Sequence, residues 1–464
     1  MIDFHYLLVT IVAFIVLIGV MVVVHEFGHF VVAKLCRVRV EAFSVGFGPR
    51  LFGYKYGDTD YKVCLLPLGG FVKMTGENFA ELSDAAAGTA TQAPASDPGA
   101  LTAHPRWQQM LIGVAGPFAN FVLAFVLMVF YFNFINEVPA IHPIVIEWVS
   151  DGSAAAQAGI EPGDIVTRFD TFDNPTWEQI RRSVRTNASK TVAVTVERDG
   201  KTLPLAIRLT GGTKGRTLEL DDTGLFIELV KSPIHVDSVI PNAPAAQAGL
   251  RSDDMILAVD GHAFHTLNPL VAYLKSGQGT PVSLSVSRNG RVIGPLVVHP
   301  SLQDSAWRLG FTWEPPSNIP TQREPLPFAE SVVESRDFCA DNSMLIFGTL
   351  RQLFTHKASV TQLSGPVGIA RAAGEAAEAK DWSAKFGLGA IISINLGILN
   401  LLPFPILDGG MILFLLIESV LRHDININVK ERIYQAAFVV IVAFFAFVIF
   451  NDVTKLPIFS HLKP

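Results

Sequence analysis

His25, Glu26 and His29 stand inside the apolar run Val20–Cys36, VMVVVHEFGHFVVAKLC. On an α-helix, residues four apart share a face, so His25 and His29 can grip one metal ion. Glu26, beside them, is a candidate general base. Two imidazoles hold Zn²⁺ well, but a catalytic site needs a third protein ligand and a position open to water. The plainer reading is a polar cluster closing a helix end. That is a costly use of three ionisable side chains in an apolar helix, where such groups are usually functional.

A second stretch, NLLPFPILDGG (400–410), holds another carboxylate. Two prolines and a glycine pair in an apolar segment imply unwound backbone, which a membrane tolerates only inside protein or beside water. Asp408 sits in this break. A buried carboxylate needs a partner, and a metal is the strongest one available. Asp408 is also well placed to cap the half-helix Gly409–Leu421, but a cap alone leaves the two histidines without a third ligand.

The elements that position these residues are apolar spans. Half of the residues are hydrophobic and 17% are charged, which points away from a purely soluble protein. The net charge of −6 gives no case for a nucleic-acid partner. Cys36, Cys64 and Cys339 are odd in number and far apart, so they form neither a disulfide framework nor a zinc ribbon. Leu7–Val24 carries no charge and is long enough for the core of a membrane helix. A cleaved signal peptide fits poorly: Met1–Tyr6 has no Lys or Arg, and HEFGH stands where a small-residue cleavage site belongs. Leu111–Ile135, Phe386–Leu402 and Tyr434–Phe450 are the other candidate spans. Gly113, Gly116, Pro117 and Asn120 predict close packing of the second on another helix. Met411–Leu421 covers only about 16 Å and reads as a half-helix continuing the third span after its break.

Basic residues orient the chain. Lys34, Arg37, Arg39, Arg50, Lys55, Lys62, Lys73 and Arg106 lie between the first two spans, and Arg422, Lys430 and Arg432 between the last two. These loops are predicted to be cytoplasmic, with both termini and the long 136–385 region outside. Glu41–Met74 reads as strands with turns at Gly57-Asp58 and Gly69-Gly70, a hairpin too apolar for an ordinary loop. Asn78–His104 has the composition of a flexible linker. In the outer region, GSAAAQAGIEPGDIV (152–166) and NAPAAQAGLRSDDMIL (242–257) align at an offset of ninety residues, which predicts two copies of a small domain. Pro325–His356 has helical apolar spacing suited to a membrane surface or to packing on the outer domains.

With these stretches in hand, the chain resembles the bacterial site-2 proteases, in the branch that regulates the sigma-E envelope stress response. HEFGH (25–29), PLGGFVKM (67–74), AGPFANF (115–121), the tandem repeat units, LSGPVGIA (363–370), NLLPFPILDGG (400–410) and FNDVTKL (450–456) fall in that family's order. The resemblance implies a zinc intramembrane metalloprotease in the inner membrane, with one Zn²⁺ held by His25, His29 and Asp408 and with Glu26 as catalytic base. Asn400, Pro403 and Pro405 match motif residues near the substrate, Asn400 as a donor to the oxyanion. The repeats resemble PDZ domains. The implied fold class is a multi-span α-helical membrane protein: four transmembrane helices, a membrane-associated β-hairpin and two periplasmic PDZ-like α/β domains. Its implied parts are a first transmembrane helix (6–36), the hairpin (40–75), a cytoplasmic linker (76–106) and a second helix (107–135). PDZ-like domains (140–215 and 222–315), an amphipathic region (325–385), the broken third helix (386–421) and the fourth (433–451) follow.

The implied partners are the lipid bilayer and single-span membrane substrates of the anti-sigma-factor type, cut after a first extracytoplasmic cleavage, and signal-peptide remnants. The PDZ-like pair would contact the substrate's outer end or filter it by size. Two rival classes are a membrane scaffold with a structural metal and a transporter with a midplane site. An open fourth metal position and Glu26 argue against the first, and one broken helix among four fits the second poorly.

Overall fold

The computed structural model describes residues 4–76, 97–210, 218–303, 306–313, 319–355 and 365–454. They fall into two compact units, Met1–Asn136 with Pro325–Pro464, and Glu137–Glu324. Most of the predicted linker, residues 77–96, lies outside the described residues. Asp97–His104 does not hang free: Leu101 is buried with Val38, Val40 and Met74, and the Arg39 N–H donates to the Gly99 carbonyl.

The first unit is a helical bundle. Helices α1 (Phe4–Leu35) and α2 (Arg106–Phe134) are joined by strands β1 (Val40–Tyr56) and β2 (Thr59–Met74). Then come α3 (Phe328–Phe354), α4 (Pro366–Glu378), α5 (Trp382–Asn400), α6 (Asp408–Leu421) and α7 (Ile427–Thr454). Four of these helices, α1, α2, α5 and α7, are long and apolar enough to cross a membrane. With 14 residues, α6 reaches only about 21 Å at 1.5 Å per residue, and it follows α5 after the non-helical stretch 401–407.

Small residues on α2 make it the hub. Gly113, Gly116, Pro117, Asn120 and Ala124 are all buried. A Cβ at Gly28 of α1 would overlap the Ala115 carbonyl, so glycine there is what allows the two helices to touch. Against α5, the α2 residues Ala124, Met128 and Tyr131 pack on Ala390, Ile394 and Ile398, and Ser393 Oγ donates to the Asn120 carbonyl at 2.8 Å. Phe338, Cys339, Ile346 and Leu350 of α3 pack on the same cluster, while Phe328, Met344, Leu345 and Phe347 remain exposed. The α4 amides of Gly365 and Gly368 donate to the buried Asp452 carboxylate, which ties the start of α4 to the end of α7.

The hairpin is more folded than its sequence implied. Its tip is at Gly57-Asp58, as expected, but Gly69-Gly70 is not a turn. The strand runs through it, with Gly69 at φ 140°, and the adjacent Phe47 ring occupies the space a Cβ there would take. Because β1 and β2 bend, residues 42–45 pair with both 70–73 and 60–63, and 52–56 pair with 59–63. Four segments therefore lie side by side in the order 70–74, 40–45, 60–63, 52–56. Phe43 and Tyr61 fasten the sheet to α1 by packing on Phe30.

The second unit has two halves with the same strand order. In the first it is Lys201–Arg208, Thr191–Arg198, Ile165–Phe169, Ile144–Val149, Leu225–Ile227. In the second it is Arg291–Val298, Val282–Arg288, Met255–Val259, Ile234–Val239, Phe311–Trp313. Each half buries an aspartate paired with an arginine through two bonds: Asp164 with Arg198 at 2.6 and 2.7 Å, and Asp254 with Arg288 at 2.7 and 2.7 Å. In both, the same arginine also holds the carbonyl of the Ala-Gly turn, Gly159 or Gly249. Trp148 and Phe226 of the first half sit in the core of the second, so the halves share one hydrophobic seam.

At that seam Glu147 is buried and accepts from the His265 amide at 2.6 Å, with His265 Nδ1 at 3.5 Å. The Glu147 carboxylate beside the ring raises the His265 pKa against its burial; Glu228 adds to the rise and Lys231 opposes it. A raised folded-state pKa means the pair's stabilisation is complete below the free-histidine value, about 6.5, and is lost as pH climbs through the folded value. Protection of the His265 amide from hydrogen exchange, corrected for intrinsic rate, is therefore expected to fall with rising pH. In His265→Gln that dependence should vanish. Equal pH profiles for the two proteins would show that the pair does not hold the seam.

Candidate active site

Helical spacing does the first part of the assembly. His25 and His29 lie one turn apart on α1, both buried and both turned toward α2. The two helices run antiparallel, so His29 meets Ile112 and Gly116, while His25 meets Asn120 two turns further along α2. A Cβ at Gly116 would overlap the His29 imidazole, so that position must stay without a side chain.

The third residue comes from the start of α6, just after the break at 401–407. Leu407, not Asp408, is the N-cap of α6, and Asp408 is its first helical residue. Its carboxylate points at the histidines: Oδ2 is 3.1 Å from His25 Nε2 and Oδ1 is 3.5 Å from His29 Nε2. The two Nε2 atoms are 3.2 Å apart. The ligand atoms of His25, His29 and Asp408 all fall within 4.8 Å of one another.

The chemistry of this set fits a cation. His29 Nδ1 lies 2.7 Å from the Ile112 carbonyl. A carbonyl only accepts, so in the neutral ring Nδ1 carries the proton and Nε2 presents a lone pair. That lone pair faces a carboxylate and a second imidazole nitrogen. A cation resolves such a convergence of acceptors, and two nitrogens with one carboxylate oxygen form a donor set that zinc favours.

Glu26 occupies the next position on α1, and its Oε2 accepts from the Val72 N–H at 3.1 Å. The 70–74 segment of the sheet thus touches the histidine turn directly. Asn400, the last residue of α5, brings its amide within 3.4 Å of His25 Nε2. Pro403 and Pro405 lie in the break at 401–407, where Pro403 is exposed and Pro405 packs beside Gly410. They shape the break. Sequence reasoning did not foresee Ile112, Val72 or Asn120 as neighbours of the site; only Asn120, a carboxamide in an apolar helix, carried a visible signal.

A match to Peptidase family M50 spans residues 13–444. The chain belongs to peptidase family M50. Full-length relatives agree. The regulator of sigma-E protease RseP of Salmonella typhimurium is 32% identical over 468 residues, covering 96% of this chain and 98% of the relative. RseP of Escherichia coli is 32% identical over 465 residues with the same coverage, and a putative zinc metalloprotease of Vibrio cholerae is 32% identical over 471. This M50 peptidase is therefore a zinc metalloprotease with four helices long and apolar enough to cross a membrane, and among the described residues His25, His29 and Asp408 form a group that could hold the metal.

Proposed function

We propose that this M50 peptidase is an intramembrane endoprotease that cuts within the spans of single-span membrane proteins, anti-sigma factors and signal-peptide remnants being the candidate substrates. The observation that carries this reading is the meeting of His25, His29 and Asp408 among apolar helices, with Glu26 beside them. His25, His29 and Asp408 would hold the zinc, which would supply Lewis acidity toward the scissile carbonyl and toward water. Glu26 takes the proton of the attacking water and returns it to the departing amine. Asn400 is placed to donate to the developing oxyanion. Pro403 and Pro405 keep 401–407 out of helix, so that Asp408 begins a new one at the depth of the histidines.

A helical substrate must unwind before its peptide bonds can be reached, and a strand edge offers the unwound segment hydrogen bonds. Val63 pairs on both sides, with Val45 and Phe52, so 60–63 is internal to the sheet. The edge at 70–74 is the better candidate. The Thr75 amide bonds inward to Arg39, and the Val72 amide turns the other way, to Glu26. A substrate strand laid along this edge brings its carbonyls to the base. Val72→Pro removes the outward amide, which meets Glu26 Oε2 until a substrate carbonyl takes its place, and is expected to reduce cleavage by at least tenfold with zinc retained, since a prolyl residue cannot donate. Undiminished turnover would mean that the segment only packs on α1.

Family membership points to the inner membrane, and the distribution of basic residues supports a reading with both termini and the 137–324 unit in the periplasm and the site in the cytoplasmic half. The two halves of that unit are read as PDZ-like domains that screen the outer end of a substrate already shortened by a first cut. The whole reading is tested with purified protein and a model single-span substrate. The expected product ends inside the span, and its formation stops with a chelator and resumes with zinc. Cleavage confined to loops outside the span would overturn it.

A further inference from the structure

We infer that Asn120 is the positioning residue for His25: its carbonyl oxygen accepts from His25 Nδ1–H and so turns the Nε2 lone pair toward the metal. This rests on the zinc reading given above. Asn120 is fully buried midway along α2, and the structure sets its Nδ2 end 3.2 Å from His25 Nδ1, an end that a half-turn of the same-shaped amide exchanges for the oxygen. The carbonyl oxygen, Oδ1, is left without a partner among the described residues; the exchanged orientation would give it one. Packing gives no reason to bury a carboxamide this way, because an apolar side chain of the same shape would leave no polar atom unpaired. The amide serves His25 alone, and the ring decides which end it meets.

The two histidines are held alike. His29 Nδ1 is anchored by the Ile112 carbonyl, which can only accept and so fixes the Nδ1–H form. His25 faces no backbone carbonyl at the equivalent place on α2; it faces Asn120. If the NH₂ end met Nδ1, the ring proton would sit on Nε2, between the ring and Asp408 Oδ2 at 3.1 Å, where it blocks a cation. With the oxygen end toward Nδ1, both rings present lone pairs to the same point. The amide of Asn400 also approaches the His25 ring, at 3.4 and 3.5 Å, but it reaches both nitrogens about equally and so selects neither tautomer.

The test compares Asn120→Leu and Asn120→Asp in the full-length protein, reading zinc affinity by competition with a chelator. Leucine keeps the shape and loses the acceptor; zinc affinity is expected to fall about 10–100-fold, as when other outer partners of metal ligands are removed. Aspartate can only accept when ionised, and is expected to stay within a few-fold of the unsubstituted protein. A packing role predicts the reverse order, with leucine tolerated and a buried aspartate disruptive, and that order would overturn the assignment. Asp408→Asn is measured beside them. If it too binds zinc at full strength, the ligand set itself is wrong and both readings fall. If it loses zinc while Asn120→Leu does not, only the role of Asn120 falls.

Discussion

Glu26→Gln is expected to bind zinc as the unsubstituted protein does and to lose about 10²–10⁴-fold in cleavage rate, the usual contribution of a positioned general base. The structure makes this a clean substitution. Glutamine has the same shape, and its carbonyl oxygen can still accept from the Val72 amide that Glu26 Oε2 engages at 3.1 Å. The contact between α1 and the 70–74 edge survives, and none of the three metal-suited residues is altered. What disappears is the lone pair basic enough to take a proton from water. Zinc content and cleavage of a single-span substrate, measured on one preparation, separate the outcomes. Retained cleavage would give the proton to another group and leave Glu26 as a strap for the sheet. Loss of both zinc and cleavage would mean that the carboxylate supports the metal.

The parts of this site that were legible in the sequence are those set by local geometry. The pairing of His25 with His29 follows from the helical repeat, and Glu26 comes with it. Asp408 could be suspected at a distance because the prolines and glycines around it announce unwound backbone in an otherwise apolar span. Whether it was a ligand or a cap could not be read locally. That depends on which way the side chain leaves α6, and the structure turns it away from the helix end toward His25 and His29. What Asn120 and the Ile112 carbonyl touch could not be read locally for a related reason, although a carboxamide in an apolar helix was itself a signal. Their role depends on the antiparallel register of α1 and α2, which is set by the close approach of Gly28 to Ala115 and of Gly116 to His29. The hairpin shows the opposite limit. Its tip was legible from Gly57-Asp58, but Gly69-Gly70 carried the same composition signal without being a turn. A glycine with positive φ inside a strand marks a bend as readily as a reversal. The four-segment order depends on register between strands, which apolar composition does not encode when both faces are apolar.

Asp408→Asn is expected to lower zinc affinity by at least the roughly 10–100-fold that follows loss of an outer-sphere partner, because here an atom suited to the metal itself is changed. A neutral amide is a poorer ligand than a carboxylate, and one of its two ends is a donor that would face the lone pairs of the histidines. The two carboxylate oxygens of Asp408 lie one toward each Nε2, so neither rotamer of the amide avoids this conflict. Asp408→Glu is expected to fail as well. The backbone cannot retreat to make room for the longer arm: Gly409 and Gly410 are packed against the backbone of 401–405, where a Cβ would already overlap it. If the carboxylate served only to start α6, Asn or Ser would replace it well, since both are good at helix N-termini. Zinc content after dialysis against a metal buffer, with Glu26→Gln as the control that keeps all three metal-suited residues, reads the difference. Full zinc occupancy and normal cleavage in Asp408→Asn would return the site to two histidines and require a third donor elsewhere in the bundle.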